Sequence, residues 1–150
     1  MKELKQLRKA GLHVVVHAPL FRSGYFVFAY NWEQWETLHR VFGLNIPEVD
    51  SAQGLAYDFI QGTKRIFAIG VFRGGLETLV HECAHTTFAF CYYANINVKR
   101  ELANETFCYL LDWLFGEGIK GNRAAFRLGL EEEPVHRPDF DMFNPTSNEE

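Results

Sequence analysis

Two histidines and a glutamate near the middle of the chain have the residue types and the spacing of a metal site. They stand in the run His81-Glu82-Cys83-Ala84-His85, which matches the pattern HExxH. On an α-helix, residues four apart lie one turn above each other on one face, so both imidazoles can reach a single metal ion. Glu82 can then accept a proton from a water molecule that the metal activates. The pattern predicts metal-assisted hydrolysis, with His81 and His85 as ligands and Glu82 as the general base.

A catalytic zinc ion normally takes three protein ligands and leaves one position open, so a third ligand is needed. No histidine lies between His85 and His136. The remaining candidates are acids: Glu101, Glu105, Asp112 and Glu117. A helical hairpin with a short turn would bring the early part of the second helix alongside the first. This arrangement favours Glu105, which follows Asn104.

The alternative is that these residues are structural. His81 and His85 would then be hydrogen-bonded histidines in the core, and Glu82 would be a surface charge. The segment around them is apolar, and histidines and a glutamate are seldom buried together without a partner that satisfies their polarity. A metal ion would be such a partner, and we therefore favour the metal site.

The elements before the HExxH run have the composition of short strands. Residues 12–16 (LHVVV) and 25–30 (YFVFAY) are rich in β-branched and aromatic side chains, with turn residues between them, which predicts a hairpin. Two further strands are predicted over 55–60 and 65–72. The first half of the chain therefore predicts a small, mostly antiparallel sheet.

Helical spacing of apolar residues predicts three helices beyond the first hairpin. The first follows Asn31 as its N-cap and ends at Gly43. The second covers residues 76–93 and carries the HExxH run, and the third covers about 99–115. Three glycines are expected to end the third helix: Gly116, Gly118 and Gly121. Strands followed by helices predict an α+β fold, with the sheet on one side and the helices on the other.

The helical segment resembles a known group of enzymes. HECAH followed by Asn104-Glu105 is similar to the gluzincin arrangement of thermolysin-like zinc metallopeptidases. The run from LVHECAHTTFAF to NETFCYLLDWLF also resembles small HExxH proteins encoded by bacteriophages, and the resemblance covers residues 76–115. It implies one zinc ion held by His81, His85 and Glu105, with Glu82 as the general base. It also implies a small zincin-like domain, which we place at residues 1–130, followed by an acidic, proline-containing tail at 131–150.

One position departs from the thermolysin-like pattern. An aspartate that supports a ligand histidine is expected four residues after the ligand glutamate, where this chain has Tyr109. Asp112 could take that role, although a helix-surface acid is an equal alternative. Tyr109 could instead donate a hydrogen bond to a developing oxyanion, or be a core residue. Asn104, beside Glu105, is a further candidate for such a supporting role.

Composition limits the other classes of function. The chain has 150 residues, of which 47% are hydrophobic, and a net charge of −4, so we expect one folded domain that does not bind nucleic acid. The basic residues near the start, Lys2 to Lys9, predict the solvated face of a short helix. No apolar run is long enough to span a membrane, and no signal peptide is recognisable, which predicts a cytoplasmic protein. Cys83, Cys91 and Cys108 are expected to be reduced thiols in the core.

The leading hypothesis is a zinc-dependent peptidase with a narrow set of peptide or protein substrates, encoded by a phage and acting in the host cytoplasm. Residues 65–72 would be an edge strand to which an extended substrate adds by backbone hydrogen bonds. The alternative is a phage-type interaction protein that binds a host protein and whose zinc site is structural or vestigial. Hydrolysis of a non-peptide amide is a third hypothesis. The sequence predicts neither the substrate nor the oligomeric state.

Overall fold

The computed structural model describes residues 1–16, 24–46, 52–98, 104–124 and 126. The predicted tail at residues 131–150, and the domain boundary before it, lie outside these residues. The elements in chain order are α1 (Lys2–Lys9), β1 (His13–Val15), β2 (Gly24–Ala29), α2 (Trp32–Phe42), β3 (Gly54–Gln61), β4 (Lys64–Val71), α3 (Gly75–Tyr93) and α4 (Asn104–Gly121). The predicted α+β class is confirmed.

The four described strands form one mixed sheet in the order β1-β2-β4-β3. The predicted hairpin is present, because β1 pairs antiparallel with β2, and the two further predicted strands, β3 and β4, also pair antiparallel. The middle pairing, β2 with β4, is parallel, since α2 and β3 lie between these strands in sequence. The prediction that residues 65–72 form an edge strand is therefore wrong. β4 is interior, and β3 is the edge strand on that side of the described sheet.

Helices cover both faces of the sheet, which corrects the prediction of helices on one side only. Phe26, Phe28, Phe67 and Ile69 point towards α3 and α4, and the intervening residues of β2 and β4 pack against α1 and α2. Strands buried on both faces read as continuous apolar runs, as YFVFAY and RIFAIGVF do. Two hydrophobic cores therefore lie back to back across the sheet.

The helix ends follow local rules at α2 and depart from them at α4. The Asn31 side chain accepts a hydrogen bond from the Gln34 backbone N–H at 2.8 Å, and Gly43 ends α2 with φ of 66°, as predicted. In contrast, α4 continues through Gly116 and Gly118 to Gly121. Gly118 is buried against α3, so close packing rather than helix termination explains that glycine.

A sharp turn leads from the sheet into the helix that carries the HExxH run. Gly74 and Gly75 both have positive φ, at 79° and 60°, a conformation that costs glycine little. The helix α3 begins at Gly75, directly behind β4, and lies against β3 and β4. His81, Glu82 and His85 are therefore fixed to a rigid element two turns into the helix. None of the helices among the described residues is long and apolar enough to cross a bilayer.

Candidate functional site

The two histidines of the HExxH run converge on α3, as the sequence predicts. Their Nε2 atoms lie 3.1 Å apart and their ring centroids 4.7 Å apart. In the absence of a metal, one imidazole can donate a hydrogen bond to the other. Two nitrogens bound tetrahedrally to one zinc ion, each at about 2.0–2.1 Å, would be about 3.3 Å apart. The observed pair fits the two histidine positions of a zinc site.

The burial of the three HExxH residues differs from both interpretations of the sequence. His81 and His85 are exposed on the outer face of α3, whereas Glu82 is only 6% exposed. The alternative of core histidines with a surface glutamate is therefore wrong, and so is the expectation that all three are buried together. An exposed histidine pair beside a buried carboxylate leaves the imidazoles open to a ligand from solvent.

Glu82 is buried where α3 comes close to the edge strand. A Cβ built on Gly54 would lie 2.7 Å from the Glu82 Cγ and 2.6 Å from the Thr78 Cγ2. Burial raises the pKa of Glu82, and the neighbouring His81 and His85, when charged, lower it by a smaller amount. The net effect is a carboxyl group with a pKa above its ordinary value beside the histidine pair.

A cavity of about 410 Å³ lies between the HExxH helix α3 and the start of the edge strand β3. His81 and Glu82 line it from α3, together with Glu77 and Thr78 one turn earlier in the helix. Gln53 and Gly54 line the opposite side. The described lining of this cavity thus comes from α3 and the start of β3. None of it comes from α4.

The candidates on α4 share one face of that helix, and it is the solvent-exposed face. Glu105, Tyr109 and Asp112 follow each other at steps of four and three residues, and all three are exposed. The buried side of the helix carries Leu110 and Leu114. The core alternative for Tyr109 is wrong, since its side chain is 70% exposed. Asn104 is the first residue of α4, and its side chain lies outside the described part of the structure.

Contacts between α3 and α4 fix how the two helices are aligned. The rings of Phe88 and Phe107 pack with their centroids 4.6 Å apart. Towards the other end, Gly118 lies so close to α3 that a Cβ there would be 2.7 Å from the Leu79 Cδ1. The helices therefore run antiparallel, which confirms the predicted hairpin.

This alignment does not bring Glu105 level with the histidines. The Phe88–Phe107 and Leu79–Gly118 contacts place Leu111 at about the level of His85. Glu105 lies six residues before Leu111 in α4, which corresponds to roughly 9 Å along the helix axis. In the part of the chain that the structure describes, no three His, Cys, Asp or Glu side chains are grouped so that they could hold a metal ion. The role of Glu105 as the third ligand stays a prediction.

Glu77 is a site residue that the sequence reasoning missed. It stands four residues before His81, so its i, i+4 position on the same helix was a readable signal. No sequence pattern indicates that Gln53 and Gly54 line the cavity, because their position there depends on where β3 meets α3 in the folded chain.

The other histidines that the structure describes, His39 and His13, lie away from the HExxH residues. His39 is buried, with Nδ1 2.8 Å from the Trp35 carbonyl oxygen and Nε2 2.7 Å from the Tyr57 hydroxyl, so both of its ring nitrogens have partners within the fold. His13 contacts Glu117 at 3.2 Å on another side of the molecule. His17 and His136 lie outside the described residues.

The cysteines are divided between core and surface. Cys83 and Cys91 are buried, as predicted, and burial raises the pKa of the Cys83 thiol to about 12. Cys108 is exposed, because it lies on the outer side of α4, and the prediction that it is a core thiol is wrong. Cys83 points into the core and away from the histidines, so it is not a metal ligand.

Comparison with known proteins gives no further guide to the site. No protein-family model, curated protein or solved structure matches the chain.

Proposed function

We propose that this chain is a small zinc-dependent peptidase that cleaves a narrow set of peptide or protein substrates. The observation that carries the proposal is the 3.1 Å separation of the exposed His81 and His85 Nε2 atoms, with the Glu82 carboxylate buried beside them. Two imidazoles that converge from one helix face are suited to a zinc ion, and the intervening glutamate is suited to proton transfer.

His81 and His85 would hold the zinc ion, which when bound supplies a Lewis acid and lowers the pKa of a water molecule. Glu82 would accept the proton of the attacking water and pass it to the leaving amine. Burial against β3 restricts the Glu82 side chain, so its carboxylate is held in place for both transfers.

Two carboxylates are candidates for the third ligand. Glu105 follows from the resemblance to gluzincins, and Glu77 lines the cavity beside His81, but among the described residues neither is grouped with both histidines. They can be separated by the zinc affinity of Glu77→Gln and Glu105→Gln. Loss of a ligand weakens binding strongly, whereas loss of a distant surface carboxylate leaves the affinity nearly unchanged.

The substrate would extend along the outer edge of β3. Among the described residues β3 pairs only with β4, so the backbone groups of its other edge are available to a peptide strand. Its first residue, Gly54, lines the cavity that also contains His81 and Glu82. A peptide added at this edge would therefore pass beside the candidate catalytic group.

Metal analysis of the purified protein tests whether the chain binds zinc. We expect about one zinc ion per chain, bound by wild type and lost from His81→Ala, because a tetrahedral site does not retain zinc with one imidazole removed. His39→Gln is the matched control, since His39 is buried away from the site and its loss should leave the zinc content unchanged. Equal zinc content in wild type and His81→Ala would refute the metal site.

Glu82→Gln tests the catalytic role. This variant should retain zinc and lose hydrolysis by about a hundredfold or more, because the amide keeps the shape of the side chain but cannot accept the proton. Hydrolysis of a peptide library, followed by mass spectrometry, is the measurement. Undiminished cleavage by Glu82→Gln would rule out the mechanism.

A second candidate function is an interaction protein that binds a host protein and whose zinc site is structural or vestigial. It is favoured by the aromatic side chains exposed near the end of α3, among them Phe88 and Tyr92. Under this hypothesis the partner still binds Glu82→Gln and the biological effect is unchanged. The peptidase hypothesis predicts that the effect is lost. A phage origin and a cytoplasmic location belong to both hypotheses.

A further inference from the structure

A second cavity, of about 770 Å³, lies at the far end of α3. Its volume is within the range of roughly 300–1,000 Å³ that is typical of ligand pockets. Three aromatic rings line it, those of Phe88, Tyr92 and Tyr93, and aliphatic side chains follow at Ile96 and Val98. The described lining thus combines aromatic and aliphatic side chains with the polar side chains of Arg65, Asn95 and Asn97.

The aromatic side chains of this cavity are unusually exposed. Tyr92 is 89% exposed and Phe88 56% exposed. Aromatic rings that face solvent together around a concavity are typical of a binding site, because a ligand ring gains both burial and edge or face contacts there. The rings therefore favour an aromatic ligand.

Among the described lining residues the basic side chain is Arg65. It forms an ion pair with Asp58 on β3, and its guanidinium lies 4.4 Å from the centre of the Tyr93 ring. The positive charge is therefore already offset. The described lining also carries the side-chain amides of Asn95 and Asn97, which can hydrogen-bond peptide groups, and the hydroxyl groups of Tyr92 and Tyr93.

The described lining of the cavity reaches the sheet at Arg65 of β4, the strand next to the outer strand β3. Arg65 pairs in the sheet with Ile60, near the end of β3, and Ile60 is itself exposed. The cavity that contains His81 and Glu82 adjoins Gly54, at the other end of the same strand. From Gly54 to Ile60 the strand rises by about 20 Å, at about 3.3 Å per residue.

We propose that this second cavity binds an aromatic side chain of a peptide that extends along the outer edge of β3. The ring packs among Phe88, Tyr92 and Tyr93, and Asn95 and Asn97 hydrogen-bond the adjacent peptide groups. That this peptide is a substrate rests on the proposed function. If it is, its aromatic residue lies about six positions from the bond that is cleaved, because Gly54 and Ile60 are six residues apart along β3.

Peptide binding to the Glu82→Gln variant tests the pocket without interference from turnover. The probes are blocked seven-residue peptides of alanine and threonine that carry one terminal phenylalanine or tyrosine, or leucine in its place. We expect the aromatic peptides to bind about three- to tenfold more tightly than the leucine peptide. Amide resonances of residues 92–98 should shift in an NMR titration.

Tyr92→Ala, combined with Glu82→Gln, should remove the aromatic preference. Tyr92 is almost wholly exposed, so its truncation does not threaten folding. Tyr109→Ala is the matched control, because Tyr109 is an exposed tyrosine of the neighbouring helix that does not line the cavity, and it should keep the preference. Binding without an aromatic preference, or a preference that survives in Tyr92→Ala, would overturn the proposal.

Cleavage by wild type separates this proposal from the proposed function. If aromatic peptides bind as expected but no peptide of any composition is cleaved, the peptidase is refuted and the pocket stands. If peptides are cleaved equally well with and without the aromatic residue, the pocket is refuted and the peptidase stands.

Discussion

Gly54 allows the edge strand to approach the helix that carries the candidate site. A Cβ at this position would lie 2.6 Å from the Thr78 Cγ2 and 2.7 Å from the Glu82 Cγ, both too close for unstrained contact. Gly54→Ala should therefore destabilise the fold by about 1–3 kcal/mol and displace the Glu82 side chain. Urea denaturation measures the first effect, and peptide hydrolysis, reduced at least tenfold, measures the second.

A second substitution checks the cause of that loss. Thr78→Ser removes the Cγ2 atom that lies nearest to the new methyl group, so Gly54→Ala combined with Thr78→Ser should recover part of the stability. Recovery should be incomplete, because the Gly70 carbonyl oxygen would also lie 2.7 Å from the new Cβ. If Gly54→Ala is as stable as wild type, close packing of β3 on α3 is not what places Glu82.

At the scale of residues, the sequence predicted the convergence of His81 and His85 but not which of the three residues is buried. Their spacing alone brings the imidazoles together, because α-helix geometry is local. Burial depends on what packs against each face of α3. That helix is apolar on its exposed side too, where Val80, Phe88 and Tyr92 lie, so periodicity could not identify the outer face.

At the scale of elements, α4 contains two glycines with opposite surroundings. Gly116 has no neighbouring atom within 4 Å of a built Cβ, whereas a Cβ on Gly118 would lie 2.7 Å from Leu79 and 3.1 Å from Phe28. Gly116→Ala should stabilise the protein by about 0.5–1 kcal/mol, because alanine is the better helix former. Gly118→Ala should destabilise it by about 1–3 kcal/mol, because the methyl group separates α4 from α3 and the sheet.

Thermal or urea denaturation of the two variants measures this contrast, and each variant is the control for the other. Equal effects of the two substitutions would contradict the close packing of α3 and α4. The alignment of these helices also determines how far Glu105 lies from His85, so this result bears on which carboxylate could complete the proposed metal site.

The elements themselves were largely predictable, and their arrangement was not. Strand composition located β1 to β4, and Asn31 and Gly43 gave the limits of α2, because these signals are local. The parallel pairing of β2 with β4 joins segments about 40 residues apart, and no local pattern specifies it. For that reason β4 was assigned to the edge in place of β3, and the layer of α1 and α2 was not foreseen.

At the scale of the whole molecule, Glu117 connects the helical layer to the opposite edge of the sheet. Its carboxylate accepts a hydrogen bond from Lys120 at 2.7 Å and contacts the His13 ring of β1 at 3.2 Å. Burial alone would raise the pKa of Glu117, but the hydrogen bonds of Lys120 and His13 outweigh it and lower the pKa below 4.5. The ionised form is therefore favoured in the folded state.

This lowered pKa predicts how stability depends on pH. A carboxyl whose pKa is lower in the folded than in the unfolded chain stabilises the fold above the unfolded value of 4.5, and that contribution is lost as the pH falls through the folded value. Glu117→Gln should therefore cost about 0.5–1.5 kcal/mol at pH 7, and the difference from wild type should diminish below pH 4.5. Urea denaturation at pH 7 and at pH 3.5 measures both values.

Asp112→Asn is the control for the loss of one negative charge, because Asp112 is exposed on the same helix and its replacement should change stability by less than about 0.5 kcal/mol. A cost of Glu117→Gln that stays constant from pH 7 to pH 3.5 would mean that the amide disturbs packing. A cost that diminishes with acid, and is absent in Asp112→Asn, would show that the charge on Glu117 joins β1 to α4. Since α4 also supports α3, the same charge would contribute to the rigidity of the helix that presents His81 and His85.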